Sequence, residues 1–312
     1  MRTRSRSAAA EMEAFIGRHA EKTFDWHAFT FNEGYPELER AQMRYIGAGG
    51  SPKVDDPTTL PPEHFTLSMI NQPVGKYASC HAHEVEESFL VLQGVLTVAW
   101  NYDGDVLEAA VGPRDLCLNA SRRPHGFRNN GIEPVLCSIT IGSGRPLPPD
   151  FSFHPRDGDP ARAARFGAEP GRTFPLSRSS DDERHQDFAR HIVRYSQQPV
   201  IAQPGFSKKV YVGNGGAPAG TYRMDLVHLA PGQGVELYAR DVEDVYLVLD
   251  GVVTVGWEAD GAVTEARLGP RDLIFNSNER RHSFRNDGFE DAQFMMYVGK
   301  PDDEDVRFQP IS

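Results

Sequence analysis

Cysteine is scarce in this chain: three in 312 residues, Cys80, Cys117 and Cys137, all in the first half. An odd, sparse set excludes a disulfide framework and fits a reducing, cytoplasmic setting. No apolar run approaches the roughly eighteen residues that a membrane-spanning helix needs, so no membrane partner is expected. Basic charge is short as well. Lys and Arg number 33 against 44 Asp and Glu, a formal net charge of -11. Neutralising phosphates takes clustered cations, which excludes a broad nucleic-acid role. An apolar leader segment is also lacking. MRTRSRS at the start is basic and Ser-rich, but Glu11, Glu13 and Glu21 follow it, so a disordered tip is expected.

What the chain does hold is short apolar runs broken by Gly, Asn, Asp and Pro. From Phe65 these read FTLSMI, SFLVLQG, VLTVAW, DLCLNA, GFRNN and VLCSITI. Such spacing predicts an antiparallel sandwich or barrel, with NYDGD (101–105) as a hairpin turn. Two helical patterns flank it. Met12, Phe15 and Ile16 make one apolar stripe over residues 8–20, and Phe188, Ile192 and Val193 make another over 181–196. Ser180 and Glu183 stand at capping-box spacing before the second.

The chain also repeats itself. Shifted by 157 residues, Gly94 falls on Gly251, Trp100 on Trp257, Asp115 on Asp272, His125 on His282 and Gly142 on Gly299. The reading is therefore all-β: two tandem barrels with short flanking helices. Residues 1–150 form an amino-terminal domain, 151–207 a linker with one helix, and 208–312 a carboxy-terminal domain.

Candidate chemistry concentrates in GKYASCHAHEVEESFLVLQG (75–94). If that segment is extended throughout, alternation carries His81, His83 and Glu87 to one side, with Val85 between them. His125, in RRPHGFRNN, offers a further imidazole. Three imidazoles and a carboxylate are donors suited to a divalent metal. Val85, Phe89 and Phe127 are expected to wall a substrate pocket, and Arg122 at its mouth to meet an anionic substrate. Alternation turns Cys80 to the opposite face, as a packed thiol.

The pattern G-x5-H-x-H-x3-E-x6-G, filled by Gly75, His81, His83, Glu87 and Gly94, resembles the first motif of the cupin superfamily. Gly112, Asp115, His125 and Asn129 resemble the second motif, with Ala120 and Arg122 where Pro and Gly are usual. The resemblance covers roughly 43–142 and 209–299 and implies a bicupin: two double-stranded β-helix, or jelly-roll, barrels. It also implies a three-His, one-Glu site holding one divalent metal per chain. Iron(II) is the first choice, with manganese(II), nickel(II) and zinc(II) also compatible. A homodimer is implied by the resemblance alone. In the second copy the ligand positions become Tyr238, Arg240 and Asp244, and only His282 survives. Arg has no lone pair to give a metal, so one live site is expected, with an Arg240–Asp244 ion pair filling the other place.

Three functions fit a small-molecule substrate. The first is an iron(II) dioxygenase acting on a phenolic, enolic or diketone-like compound. The second is a non-oxidative isomerase, decarboxylase or lyase in which Glu87, the candidate catalytic group, carries a proton. The third is a binding module without catalysis.

Overall fold

The computed structural model describes residues 7–54, 56–300 and 306–311. Of the basic tip read as disordered, only Ser7 lies within them, and its Oγ accepts a hydrogen bond from the Ala10 amide at the start of a helix. The chain folds as two compact units. One comprises residues 23–197 and 216–221. The other joins 7–22 and 198–215 to the chain from 222 onward.

The first unit contains β1 (Ala41–Ile46), β2 (Thr66–Gln72), β3 (Tyr77–Ala82), β4 (Glu87–Gln93) and β5 (Leu96–Tyr102). After them come β6 (Asp105–Val111), β7 (Leu116–Asn119), β8 (His125–Arg128), β9 (Val135–Ile141) and β10 (Asp150–Phe153). One sheet runs β7-β4-β9-β2-β1 and the other β10-β3-β8-β5-β6, each extended at one edge by a short linker strand. Ile70, Phe89, Val91 and Cys117 from the first sheet share one buried core with Val98, Trp100, Leu107 and Phe127 from the second. This is a jelly-roll barrel. Asp103 and Gly104, with φ of 52° and 93°, give β5 and β6 the left-handed turn that a tight hairpin requires.

The second unit reproduces this plan. Its strands Arg223–Leu229, Gly234–Tyr238, Asp244–Asp250, Val253–Ala259, Ala262–Leu268, Leu273–Asn276, His282–Arg285 and Ala292–Val298 each begin 157 residues after β2 to β9. Small polar details repeat with them. The Trp100 indole donates to Asn119 at 2.9 Å, and Trp257 donates to Asn276 at 2.6 Å. Asn129 donates to the Gln72 and Glu133 carbonyls, and Asn286 to those of Leu229 and Glu290. Asn129 is therefore a turn clamp and not part of the chemistry.

Both flanking helices are shorter than their apolar stripes predict. Ala8–Glu13 stops because Ile16 and Gly17 leave it to pair with Ile274 and Leu273 of their own unit. Glu183–Arg190 is capped by Asp182 rather than Ser180, and Ile192 and Val193 then pair with Cys117 and Leu116. In each case a sheet edge, with its row of open amides and carbonyls, outcompetes another helical turn.

Candidate metal centre

The first motif does not form one extended strand. His81 lies in β3, His83 just beyond it, and Glu87 opens β4 in the other sheet. Residues 83–86 cross from one sheet to the other, so the three side chains converge at a corner of the barrel. His125, the first residue of β8, is the direct cross-strand partner of His81.

The Nε2 of His125 lies 2.8 Å from Glu87 Oε2, that of His81 3.8 Å from the same oxygen, and that of His83 3.7 Å from Oε1. All four side chains are buried. Ring orientation is set from behind. The Nδ1 of His81 is 2.7 Å from the Ser79 carbonyl, and that of His125 is 2.7 Å from the Arg123 carbonyl. A carbonyl can only accept, so each Nδ1 donates its hydrogen; for His81 that leaves the Nε2 lone pair toward the corner, while the His125 Nε2 is within hydrogen-bond distance of Glu87 Oε2. Metal-bound imidazoles are commonly oriented in this way.

Electrostatics point the same way. Burial, followed by the neighbouring His125, pulls His81 down to about 4, and burial also lowers His83. Burial works to raise the Glu87 carboxyl, but the surrounding imidazoles hold it well below the ordinary carboxylate range. At neutral pH the corner therefore presents neutral His81 and His83 rings and an ionised carboxylate, the protonation states that a divalent cation requires. His81, Glu87 and His125 bring one donor atom each within 4.8 Å of one another, a set that fits a metal, and His83 adjoins it through Glu87 Oε1.

The other sequence-derived candidates are placed differently. Phe127 lines the small cavity beside the donors. Phe89 stands behind it in the core, its ring 4.9 Å from that of Phe127 and 6.0 Å from His125. Val85 packs half-buried against the core. Arg122 is exposed at a turn with φ of 59°, and only its backbone amide reaches the site, donating to the His83 carbonyl at 2.7 Å. The structure does not bring Val85, Phe89 or Arg122 to the cavity wall. Cys80 packs with Leu38, Tyr77 and Phe166 away from the donors, and burial pushes its thiol up to about 12.

Residues from outside both motifs complete the cavity, which measures about 30 Å³. Phe29, Arg40, Ile70 and Ile139 form much of its wall. Arg40 is 7% exposed and leads into β1. Its guanidinium has one hydrogen bond, to the Leu38 carbonyl at 3.4 Å, and lies 4.3 Å from the Phe29 ring centroid. Among the described residues no carboxylate lies within ion-pairing distance of it. Burial pulls it down to about 10, while the charge of Glu87 acts to raise it, so it stays cationic at neutral pH. A signal for it was present in the sequence: Arg40, Gln42 and Arg44 alternate with Ala41, Met43 and Tyr45, and all six are buried.

At the corresponding corner of the second barrel, Asp244 Oδ2 accepts from Tyr238 at 2.7 Å and from Arg240 at 2.8 Å, and the His282 Nε2 lies 3.3 Å away. Tyr238 and Tyr246 hydroxyls are also hydrogen-bonded to each other.

Residues 68–141 match the cupin domain family. Solved structures match over both barrels. By fold, the protein is a bicupin. The oxalate decarboxylase of Lactobacillus farciminis, solved with formate, gives a TM-score of 0.64 at 13% identity, covering 96% of this bicupin and 88% of that chain. A variant of the Bacillus subtilis oxalate decarboxylase gives 0.66 at 15% identity over 94% of this chain and 79% of that one. Another structure of the Bacillus subtilis enzyme, concerned with its Mn(II) centres, gives 0.64 at 15% identity over 94% and 79%. At these identities the likeness is one of fold. No curated protein sequence matches this bicupin, and none of its described helices is long and apolar enough to cross a membrane.

Proposed function

We propose that the first barrel is the working centre of a metal-dependent enzyme that acts on a small carboxylate without net use of oxygen, most simply as a decarboxylase. The observation that carries this reading is Arg40, a buried cation without a carboxylate partner on the cavity that the donors face. A guanidinium left in that state is poorly compensated unless an anion joins it, and its planar fork matches a carboxylate. That the similar folds include oxalate decarboxylases supports the same class.

A divalent ion held by His81, His83, Glu87 and His125 would supply Lewis-acid polarisation of a substrate oxygen. Arg40 binds and orients the carboxylate. Phe29, Phe127, Ile70 and Ile139 shield that contact from bulk solvent and so strengthen the attraction. Glu87, ionised at neutral pH, suits the part of ligand or base and not that of acid, so a carbon that loses its carboxyl group takes its proton from water. The free, buried cysteines support a reducing compartment. A homodimer is a matter for light scattering.

A second reading, an iron(II) dioxygenase of phenolic or enolic compounds, draws on the aromatic wall of Phe29, Phe31, Phe127 and Phe151. One experiment separates the two: metal analysis of protein purified without chelators, followed by assays of carbon dioxide release and oxygen uptake. Manganese or another divalent metal at one equivalent, with carbon dioxide released and no net oxygen uptake, is expected. Oxygen uptake with iron bound would move the assignment to the dioxygenase. A protein that takes up no metal would overturn both.

A further inference from the structure

The inner cavity is too small for more than the reacting end of a substrate, yet it does not end at solvent. Phe31, Gly50, Pro149 and Phe151 line both it and an outer chamber of about 1010 Å³. The outer chamber sits at the top of the range of roughly 300–1,000 Å³ found for small-molecule pockets. Its remaining wall is largely aliphatic, with Leu60, Pro61, Pro62, Pro146, Leu147 and Pro148, and carries two cationic side chains, Arg145 and Arg156.

The boundary between the two spaces is aromatic. The Phe31 and Phe151 rings are 4.9 Å apart, and Phe151 is 5.8 Å from the His81 ring. Gly50, with φ of 77°, completes the boundary. A Cβ there would come 3.3 Å from Ile141 Cδ1 and 3.9 Å from the His83 ring, so any larger residue would crowd this boundary beside a metal donor. The inner end therefore holds the buried cation and the donors, and the outer end most of the apolar surface, with Arg145 and Arg156 as its charged members.

We infer that the substrate is an amphipathic carboxylic acid, with its acid group on Arg40 beside the donors and an alkyl or aryl body in the outer chamber. The inference rests on the reading of Arg40 and the metal donors given above, and extends it from a two-carbon diacid to an acid with a substantial apolar tail. A diacid such as oxalate fills only the inner cavity and leaves the chamber's apolar wall in water. Each methylene added to a monoacid buries more of that wall, and affinity rises with chain length.

The test is calorimetric titration of the metal-loaded, full-length protein with straight-chain monocarboxylates from acetate to decanoate, with oxalate and decanol for comparison. Affinity is expected to rise roughly fourfold per methylene over the middle of the series. In Phe31→Ala and in Leu147→Asp, the latter at an exposed loop position, the ratio of decanoate to acetate affinity should collapse. Arg40→Leu should weaken every acid by a similar factor, about tenfold or more, and leave the dependence on length intact. A flat series, or oxalate bound more tightly than decanoate, would overturn the inference while leaving the metal and Arg40 reading in place. Decanol bound as tightly as decanoate would overturn it also. Failure of the underlying reading has a different signature: protein that takes up no metal, or acids that bind equally well to Arg40→Leu.

Discussion

In the second barrel Arg240 Nε donates to the Asp244 carboxylate at 2.8 Å, at the place where the first barrel sets His83 Nε2 3.7 Å from Glu87. The two corners solve one electrostatic problem in different ways. A carboxylate buried at the meeting of two sheets needs a cation. The second barrel supplies it covalently, on a side chain, and the first arranges lone pairs around a position that a metal ion can take. Removing Arg240 strands the Asp244 charge in the interior. Arg240→Ala is expected to destabilise the protein by about 3–5 kcal/mol, whereas replacing both residues by apolar ones of similar volume should cost far less. Denaturant midpoints of the three proteins check this.

The same pair predicts an acid limit. Burial acts to raise the Asp244 carboxyl, but Arg240 and then His282 hold it down to about 2. A folded value below the unfolded one stabilises the protein fully above the unfolded value near 4. That contribution is lost as pH falls toward 2. Asp244→Asn should be less stable at neutral pH and should show a flatter fall in stability between about pH 4 and pH 2. Thermal melts at a series of pH values measure it.

In the first barrel, metal retention should depend on one corner alone. His81→Ala or His125→Ala is expected to lower metal affinity well beyond the ~10–100-fold typical of losing a residue that merely supports a ligand. His282→Ala should leave metal content unchanged. Elemental analysis after dialysis decides it, and equal losses in all three variants would mean that the second barrel also binds metal.

Phe188 carries the linker helix. It is fully buried and stacks on Trp100 with ring centroids 4.7 Å apart, and Trp100 is itself the cross-strand neighbour of His125. Phe188→Ala should cost about 3–5 kcal/mol. If the helix only decorates the barrel, unfolding curves will show a much smaller change.

Some of this was legible in the sequence because it is encoded at fixed short spacing. His81, His83 and Glu87 lie within seven residues of one another, and the 157-residue repeat keeps register through β2 to β9 and their counterparts in the second barrel. The corner itself was not legible. HEVEES contains neither Gly nor Pro to mark the change of sheet between His83 and Glu87. Arg40 was missed because it lies about forty residues upstream of the motif: the alternation of Arg40, Gln42 and Arg44 with apolar residues marks a strand, but the burial of its polar face beside the donors comes only with the fold. Arg122 misled for the opposite reason. It is next to the ligands along the chain, but a left-handed backbone turns it out to solvent. The two-residue strands at Ile16 and Ile192 are too short to be read from any period.

The pairing of Ile16 and Gly17 with Ile274 and Leu273 also bears on synthesis. The ribosome makes the partner strand about 250 residues after the segment that needs it. At ~5–20 residues per second, the amino-terminal segment waits on the order of ten seconds to a minute for its sheet to exist. During that interval Met12, Phe15 and Ile16, whose place is in the second core, are exposed on the nascent chain, where a chaperone or a protease can reach them.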